Sequence, residues 1–189
     1  MKTNILIVGV GGQGTLLASR ILGRYAQLKG LDCKLSEVHG MSQRGGSVVT
    51  HVKMADKVSS PIVALHDADI ILSFEKLESA RYLNFLKDGG VVVVNTQQIL
   101  PMPVICGMKE YPVDILEQVK QRGIKVIEAD ALSKAEDVGS AKAVNVVMIG
   151  ALSKYMNFDK EKMIEAIKST VPPKFLDMNL AAFEKGYEI

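Results

Sequence analysis

An apolar run, Ile5-Leu6-Ile7-Val8, leads straight into a glycine-rich loop, Gly9-Val10-Gly11-Gly12-Gln13-Gly14. Beyond it Leu16, Leu17, Ile21, Leu22, Tyr25 and Leu28 return at helical spacing. No other stretch limits the fold so tightly. A strand without polar alternation must be buried on both faces, which calls for helices on both sides of a mainly parallel sheet. Gly9, Gly11 and Gly14 have the spacing G-x-G-x-x-G. Between a first strand and a first helix, such a loop can bring backbone N–H groups and a helix N-terminus to a phosphate or another anion.

The remaining chain alternates strand and helix patterns. Residues 14–29 read as the first helix, stopped by Gly30. Residues 33–38, 47–54, 69–73, 91–94 and 125–128 read as strands. Residues 76–86, 113–121, 129–138, 143–155, 159–169 and 176–185 read as helices, and 100–111 is irregular and proline-containing. The second strand is followed by another after only residues 39–46, too few for a parallel crossover. The prediction is an α/β fold: one Rossmann-like domain over residues 1–189, a three-layer sandwich with a mainly parallel sheet and a hairpin-like insertion after strand 2.

Composition removes several classes of function. With 23 basic and 21 acidic side chains the net charge is +2, which gives no electrostatic case for nucleic acid or an anionic membrane. Tryptophan is absent, so stacking platforms for single strands are scarce. The apolar runs fall short of the roughly 18 residues of a membrane span. Residues 1–4 lead into a strand too short for a secretion signal, so a cytoplasmic location is expected. Cys33 and Cys106 belong to no C-x-x-C pair and cannot supply the four thiolates of an iron–sulfur cluster. His51 and His66 have no metal-ligand spacing, and no metal site is expected.

Glu37 lies 23 residues after Gly14, near the position where a dinucleotide fold keeps its ribose-binding carboxylate. That supports NAD(P), but the polar run after it does not begin a crossover helix. Three uses of the loop stay open: a dinucleotide, packing of the helix on the sheet, or another anion or a partner chain. Residues 37–46 place Glu37, His39, Ser42, Gln43 and Arg44 among Gly40, Gly45 and Gly46. Such a density of hydrogen-bonding groups suits a binding loop as well as a solvated one. Arg44 could clamp a carboxylate or phosphate, and His39 could move a proton near neutral pH. Asn145 sits in an apolar helical run and must find partners, a loop or a ligand. Glu75 and Asn95 follow strands at the carboxyl edge, where open α/β sheets bind ligands.

Together, residues 9–14 and the run Glu37-Val38-His39-Gly40-Met41-Ser42-Gln43-Arg44-Gly45-Gly46 resemble the gamma component of 2-oxoacid:ferredoxin oxidoreductases. The likeness is strongest to the small beta subunit of the indolepyruvate type, and residues 145–152 resemble a third recurring segment. The resemblance implies a complex that decarboxylates a 2-oxoacid on thiamine diphosphate with magnesium. Electrons would pass through iron–sulfur clusters to ferredoxin, and the acyl group to coenzyme A. The large alpha subunit would hold the thiamine site and the clusters, and this chain no cofactor of its own. Gly9, Gly11, Gly12, Gln13, Gly14, Glu37, His39, Ser42, Gln43, Arg44, Gly45, Gly46 and Asn145 are then candidates to touch coenzyme A, another anion or the catalytic subunit. The isolated chain would be inactive and could pair with itself. A free-standing NAD(P)-binding protein is the alternative.

Overall fold

A computed structural model of the chain describes residues 2–37 and 41–189. Six strands form one sheet: β1 (Thr3–Val10), β2 (Asp32–Glu37), β3 (Ser47–Ala55), β4 (Ala68–Ser73), β5 (Leu86–Asn95) and β6 (Lys125–Ala129). Their spatial order is β2-β3-β1-β4-β5-β6. β1, β4, β5 and β6 run parallel, while β3 runs antiparallel to both β1 and β2. The expected hairpin is present, and its return strand is inserted between β1 and β2. Ile5 pairs with Val52 on one side and Ile70 on the other.

Side chains alternate across the sheet with a period of two. Ile5, Ile7, Val52, Ile70, Leu72, Val91 and Val93 enter one core, and Leu6, Val8, Ile71, Val92 and Val94 the other. The first core is covered by α1 (Thr15–Leu28), α5 (Ala131–Asp137), α6 (Val144–Tyr155), α7 (Lys160–Thr170) and α8 (Leu176–Tyr187). The second lies under α2 (Lys76–Arg81) and α4 (Ile115–Gln121). This is the expected three-layer sandwich. α6 is buried over nearly its whole length, because α8 packs on it at backbone distance. A Cβ at Gly186 would lie 1.9 Å from the Val147 carbonyl oxygen.

Several expected boundaries move. The helix expected over 76–86 ends at Arg81, and β5 starts at Leu86 rather than Val91. β5 passes through Gly89 at φ 73°, a left-handed residue that only glycine adopts cheaply. The helix expected from 113 begins at Ile115. Residues 100–111 contain one helical turn, α3 (Met102–Ile105).

Candidate functional site

The carboxyl ends of β1, β4 and β5 meet at one edge of the sheet, and residues 9–14, 41–46, 74–75 and 95–97 gather there. α1 leaves β1 on one face and α2 leaves β4 on the other. The gap between β1 and β4 is therefore the switch point at which doubly wound sheets bind nucleotides. Here Gln13 fills it. The Val10 N–H donates to Gln13 Oε1 at 2.8 Å, and Gln13 Nε2 donates to the Phe74 carbonyl at 2.9 Å. Gln13 Nε2 also reaches Gln97 Oε1 at 3.2 Å. Asn95 completes the amide network, donating to the Phe74 carbonyl and to Gln97 while accepting from the Ala131 N–H. A side-chain amide thus stitches the two strands at the switch point.

The structure brings the two glycine-rich segments together. The Gly11 N–H donates to the Gly46 carbonyl at 2.9 Å. A Cβ at Gly11 would fall 2.4 Å from the Ser42 carbonyl oxygen and 2.4 Å from the Gln43 carbonyl carbon. Gly11 is therefore a glycine because another backbone lies against it. Ser42 and Gln43 lie in a short turn of helix, Met41–Gln43, and Arg44, Gly45 and Gly46 complete the crossing to β3. Arg44 is exposed and makes no ion pair among the described residues. His39 and Gly40 lie outside the described residues.

Glu37 does not join this cluster. β3 separates β2 from β1, so the end of β2 lies two strands away from the glycine loop, roughly 10 Å at the usual strand spacing. Its carboxylate accepts the Ser19 hydroxyl of α1 at 2.9 Å. Of the uses left open for the glycine loop, the dinucleotide one needed a ribose-binding carboxylate beside Gly14, and the inserted strand removes the neighbourhood that spacing assumed.

Asn145 does join it. Its Nδ2 donates to the Gly14 carbonyl at 3.2 Å, and a Cβ at Gly14 would lie 2.4 Å from that nitrogen. Gly14 is the N-cap of α1 at φ 81°, and no side chain caps that helix or α6. The first amides of α1 have no intrahelical acceptor, whereas α6 continues a helical turn over residues 141–143 whose Lys142 N–H donates to the Ser140 hydroxyl and whose carbonyl at Ala141 takes the Val144 N–H. Both helix starts border one cleft of about 530 Å³. Gly12, Gln13, Leu17, Gln97, Leu132 and Lys142 line it together with Asn145. Asn145 is 4% exposed, and its Oδ1 has no hydrogen-bond partner. Such an orphaned acceptor is costly unless a donor arrives. Chemically the cleft offers the uncapped start of α1, an ammonium at Lys142, an apolar wall and one acceptor. Gln97 and Lys142 were not singled out in the sequence. Lys142 could have been, since it stands two residues before an apolar helix.

A second cluster borders the loop. Glu75 (1% exposed) and Glu78 (5% exposed) stand at the start of α2. Burial pushes the Glu78 carboxyl above its ordinary value and Glu75 adds to the rise, while the Ser47 hydroxyl and Arg81 guanidinium oppose it. Burial, with the Glu75 carboxylate beside it, raises the Tyr111 phenol as well. Among the described residues no group of three His, Cys, Asp or Glu is arranged to hold a metal ion, and no helix is long and apolar enough to cross a membrane.

Residues 4–189 match the family model for pyruvate ferredoxin/flavodoxin oxidoreductase. The chain is similar to the indolepyruvate oxidoreductase subunit IorB of Thermococcus kodakarensis, with 43% identity over 97% of this chain and 93% of that protein. A 2-oxoglutarate synthase subunit KorC of Methanothermobacter marburgensis is 32% identical over 100% of this chain and 97% of its own. Among solved structures, the gamma subunit of a keto/oxoacid ferredoxin oxidoreductase from Geobacter sulfurreducens superimposes with a TM-score of 0.73 at 26% identity, covering 98% of this chain and 96% of that one. A 2-oxoglutarate:ferredoxin oxidoreductase from Magnetococcus marinus, solved with 2-oxoglutarate, coenzyme A and succinyl-CoA bound, superimposes with a TM-score of 0.75 at 19% identity. The match takes in 99% of this chain but 30% of that one.

Proposed function

The chain belongs to the pyruvate ferredoxin/flavodoxin oxidoreductase family, and we propose that it serves as the small subunit of a 2-oxoacid:ferredoxin oxidoreductase of the indolepyruvate type. The observation that carries this is near full-length similarity, 43% identity over 97% of the chain, to a protein that is itself named as one subunit. The inserted strand speaks against the free-standing NAD(P) reading, because it sets Glu37 two strands from the glycine loop and brings the second loop against Gly11.

The donor set here does not suit the redox and thiamine chemistry. Cys33 lies on β2 and Cys106 follows α3, far apart in the topology. On this reading, and as the family resemblance implies, thiamine diphosphate, magnesium and the iron–sulfur clusters would belong to a larger catalytic subunit, which this chain would join and through which ferredoxin would be reduced. What this chain supplies is surface. Loop 41–46, with Arg44 exposed, would face that subunit, and the cleft beside Gly14 and Asn145 would hold an anionic group of coenzyme A. The uncapped start of α1 and Lys142 suit a phosphate, and the orphaned Asn145 Oδ1 suits an amide N–H on the same ligand. The isolated chain would be inactive and could self-associate on the uncovered surface.

The test is reconstitution. Adding this chain to the separately purified catalytic subunit should restore ferredoxin reduction dependent on an aryl 2-oxoacid and coenzyme A. No restoration, or micromolar binding of NADH or NADPH by the chain alone, would overturn the proposal. In the reconstituted enzyme, Lys142→Glu should raise KM for coenzyme A and leave KM for the 2-oxoacid unchanged.

A further inference from the structure

Glu75 makes more hydrogen bonds than helix capping needs. Its Oε2 accepts the Glu78 N–H at 2.9 Å and so caps α2. One short acceptor, Ser or Asp, would do that work. The longer side chain turns its other oxygen, Oε1, to the Ile99 N–H at 3.2 Å and to the Tyr111 hydroxyl. Ile99 and Tyr111 are the two ends of a strap. Between them Leu100, Met102, Ile105 and Met108 are exposed, and the strap's backbone hydrogen bonds link residues 101–109 to one another. One buried carboxylate therefore fastens both ends.

The fastening continues to the opposite side. Glu78 accepts the Ser47 hydroxyl on one oxygen and Arg81 Nε at 2.9 Å on the other. Ser47 opens β3 directly after loop 41–46, whose Gly46 carbonyl takes the Gly11 N–H. A hollow of about 310 Å³ separates strap from loop, walled by Gly46, Ser47, Glu78, Arg81, Leu100 and Met102. The carboxylate pair lies between these two segments. The chain runs from buried Glu75 and Glu78 out to Ser47 at the exposed start of β3, where the Ser47 hydroxyl also lies 3.2 Å from the Tyr82 hydroxyl. Displacing a member of its buried part leaves another unsatisfied.

We propose that Glu75 and Glu78 are positioning residues that couple the strap, residues 99–111, to loop 41–46, so that movement of either is felt by the other. The coupling is a property of the chain itself and does not depend on which ligand or subunit meets the loop. The measurement is amide hydrogen exchange of the full-length chain under conditions where opening is local. Ser47→Ala removes the loop's end of the chain, and Tyr111→Phe the strap's end. Loss of one such bond is worth about a factor of 5 in local opening. Ser47→Ala should speed exchange at Ile99 and at residues 104–108 about 5-fold, and Tyr111→Phe should do the same at Gly11, whose N–H reports on Gly46. Ser47→Thr keeps the hydroxyl and should restore the wild-type rates. The double variant should change less than the product of the single effects. If each substitution perturbs only its own segment, or if Ser47→Thr fails to rescue, the proposal is wrong. A purely structural role would lower the melting temperature without this remote pattern. If Tyr111→Phe unfolds the chain, Glu78→Ala removes the acceptor of the Ser47 hydroxyl one link away and should speed exchange in both segments; unchanged rates there would refute the coupling.

Discussion

Gly11→Ala distinguishes a glycine kept for a phosphate from one kept for a neighbouring backbone. The added Cβ would lie 2.4 Å from both the Ser42 oxygen and the Gln43 carbon, where ordinary contact begins at 3.4 Å. Loop 41–46 must withdraw by about 1 Å, and the Gly11 N–H to Gly46 bond stretches with it. The loop is mostly exposed and can yield. The cost should sit in the lower part of the overpacking range, about 1–2 kcal/mol. For a domain of this size that is a melting shift of roughly 2–8 °C. Gly12→Ala is the control, because its φ of 99° strains any side chain but nothing lies within 4 Å of the added atom. Melting alone does not separate the two, since left-handed strain costs about 1–2 kcal/mol as well. Amide shifts and exchange do. Gly11→Ala should move the resonances of residues 42–46, while Gly12→Ala should leave them in place. If Gly11→Ala melts with the wild type and residues 42–46 do not shift, the packing account of this glycine fails.

Gly186→Ala puts a Cβ 1.9 Å from the Val147 carbonyl, between two buried helices that cannot part freely. About 2–3 kcal/mol and a melting drop of roughly 4–12 °C are expected by calorimetry. Cys33 has its thiol pushed up from 9.0 to about 11, chiefly by burial and then by Asp32. Its thiolate fraction near pH 8 is therefore about 100-fold below that of an ordinary thiol. Mass spectrometry after brief iodoacetamide treatment should find exposed Cys106 labelled and Cys33 unmodified. Glu78 has a carboxyl raised by burial, so the folded state binds a proton that the unfolded state releases. That stability is fully present below the ordinary value of 4.5 and is lost as pH rises through the raised value. The urea midpoint of the wild type should fall across that window, and Glu78→Gln should remove that part of the slope.

Local pattern carried most of the fold because strand and helix periods are local properties. β1 reads as doubly buried from four consecutive apolar residues, and the four valines of β5 announce a central strand. The short loop after β2 forces a hairpin for the same reason, since a parallel crossover does not fit in it. What local pattern lacks is strand order. Nothing between residues 32 and 55 encodes that β3 slips between β1 and β2, and that single choice decides the site. It carries Glu37 two strands from Gly14 and ties it to Ser19. It also carries Gly46 onto Gly11. Gln13 shows the same limit from another side. Inside the loop it looks like one more polar residue, and only the approach of Phe74 and Gln97, more than sixty positions away, makes it the stitch across the switch point. Asn145 was legible as a buried amide in need of a partner, and Gly14 as a helix start, but their meeting is tertiary. The spacing G-x-G-x-x-G is in this sense a statement about space left beside a backbone. It does not name the occupant. In a dinucleotide fold the occupant is a pyrophosphate; here part of that space is taken by the chain's own second loop. The anion-binding capacity of the helix end survives on the side of the loop that faces Lys142 and Asn145.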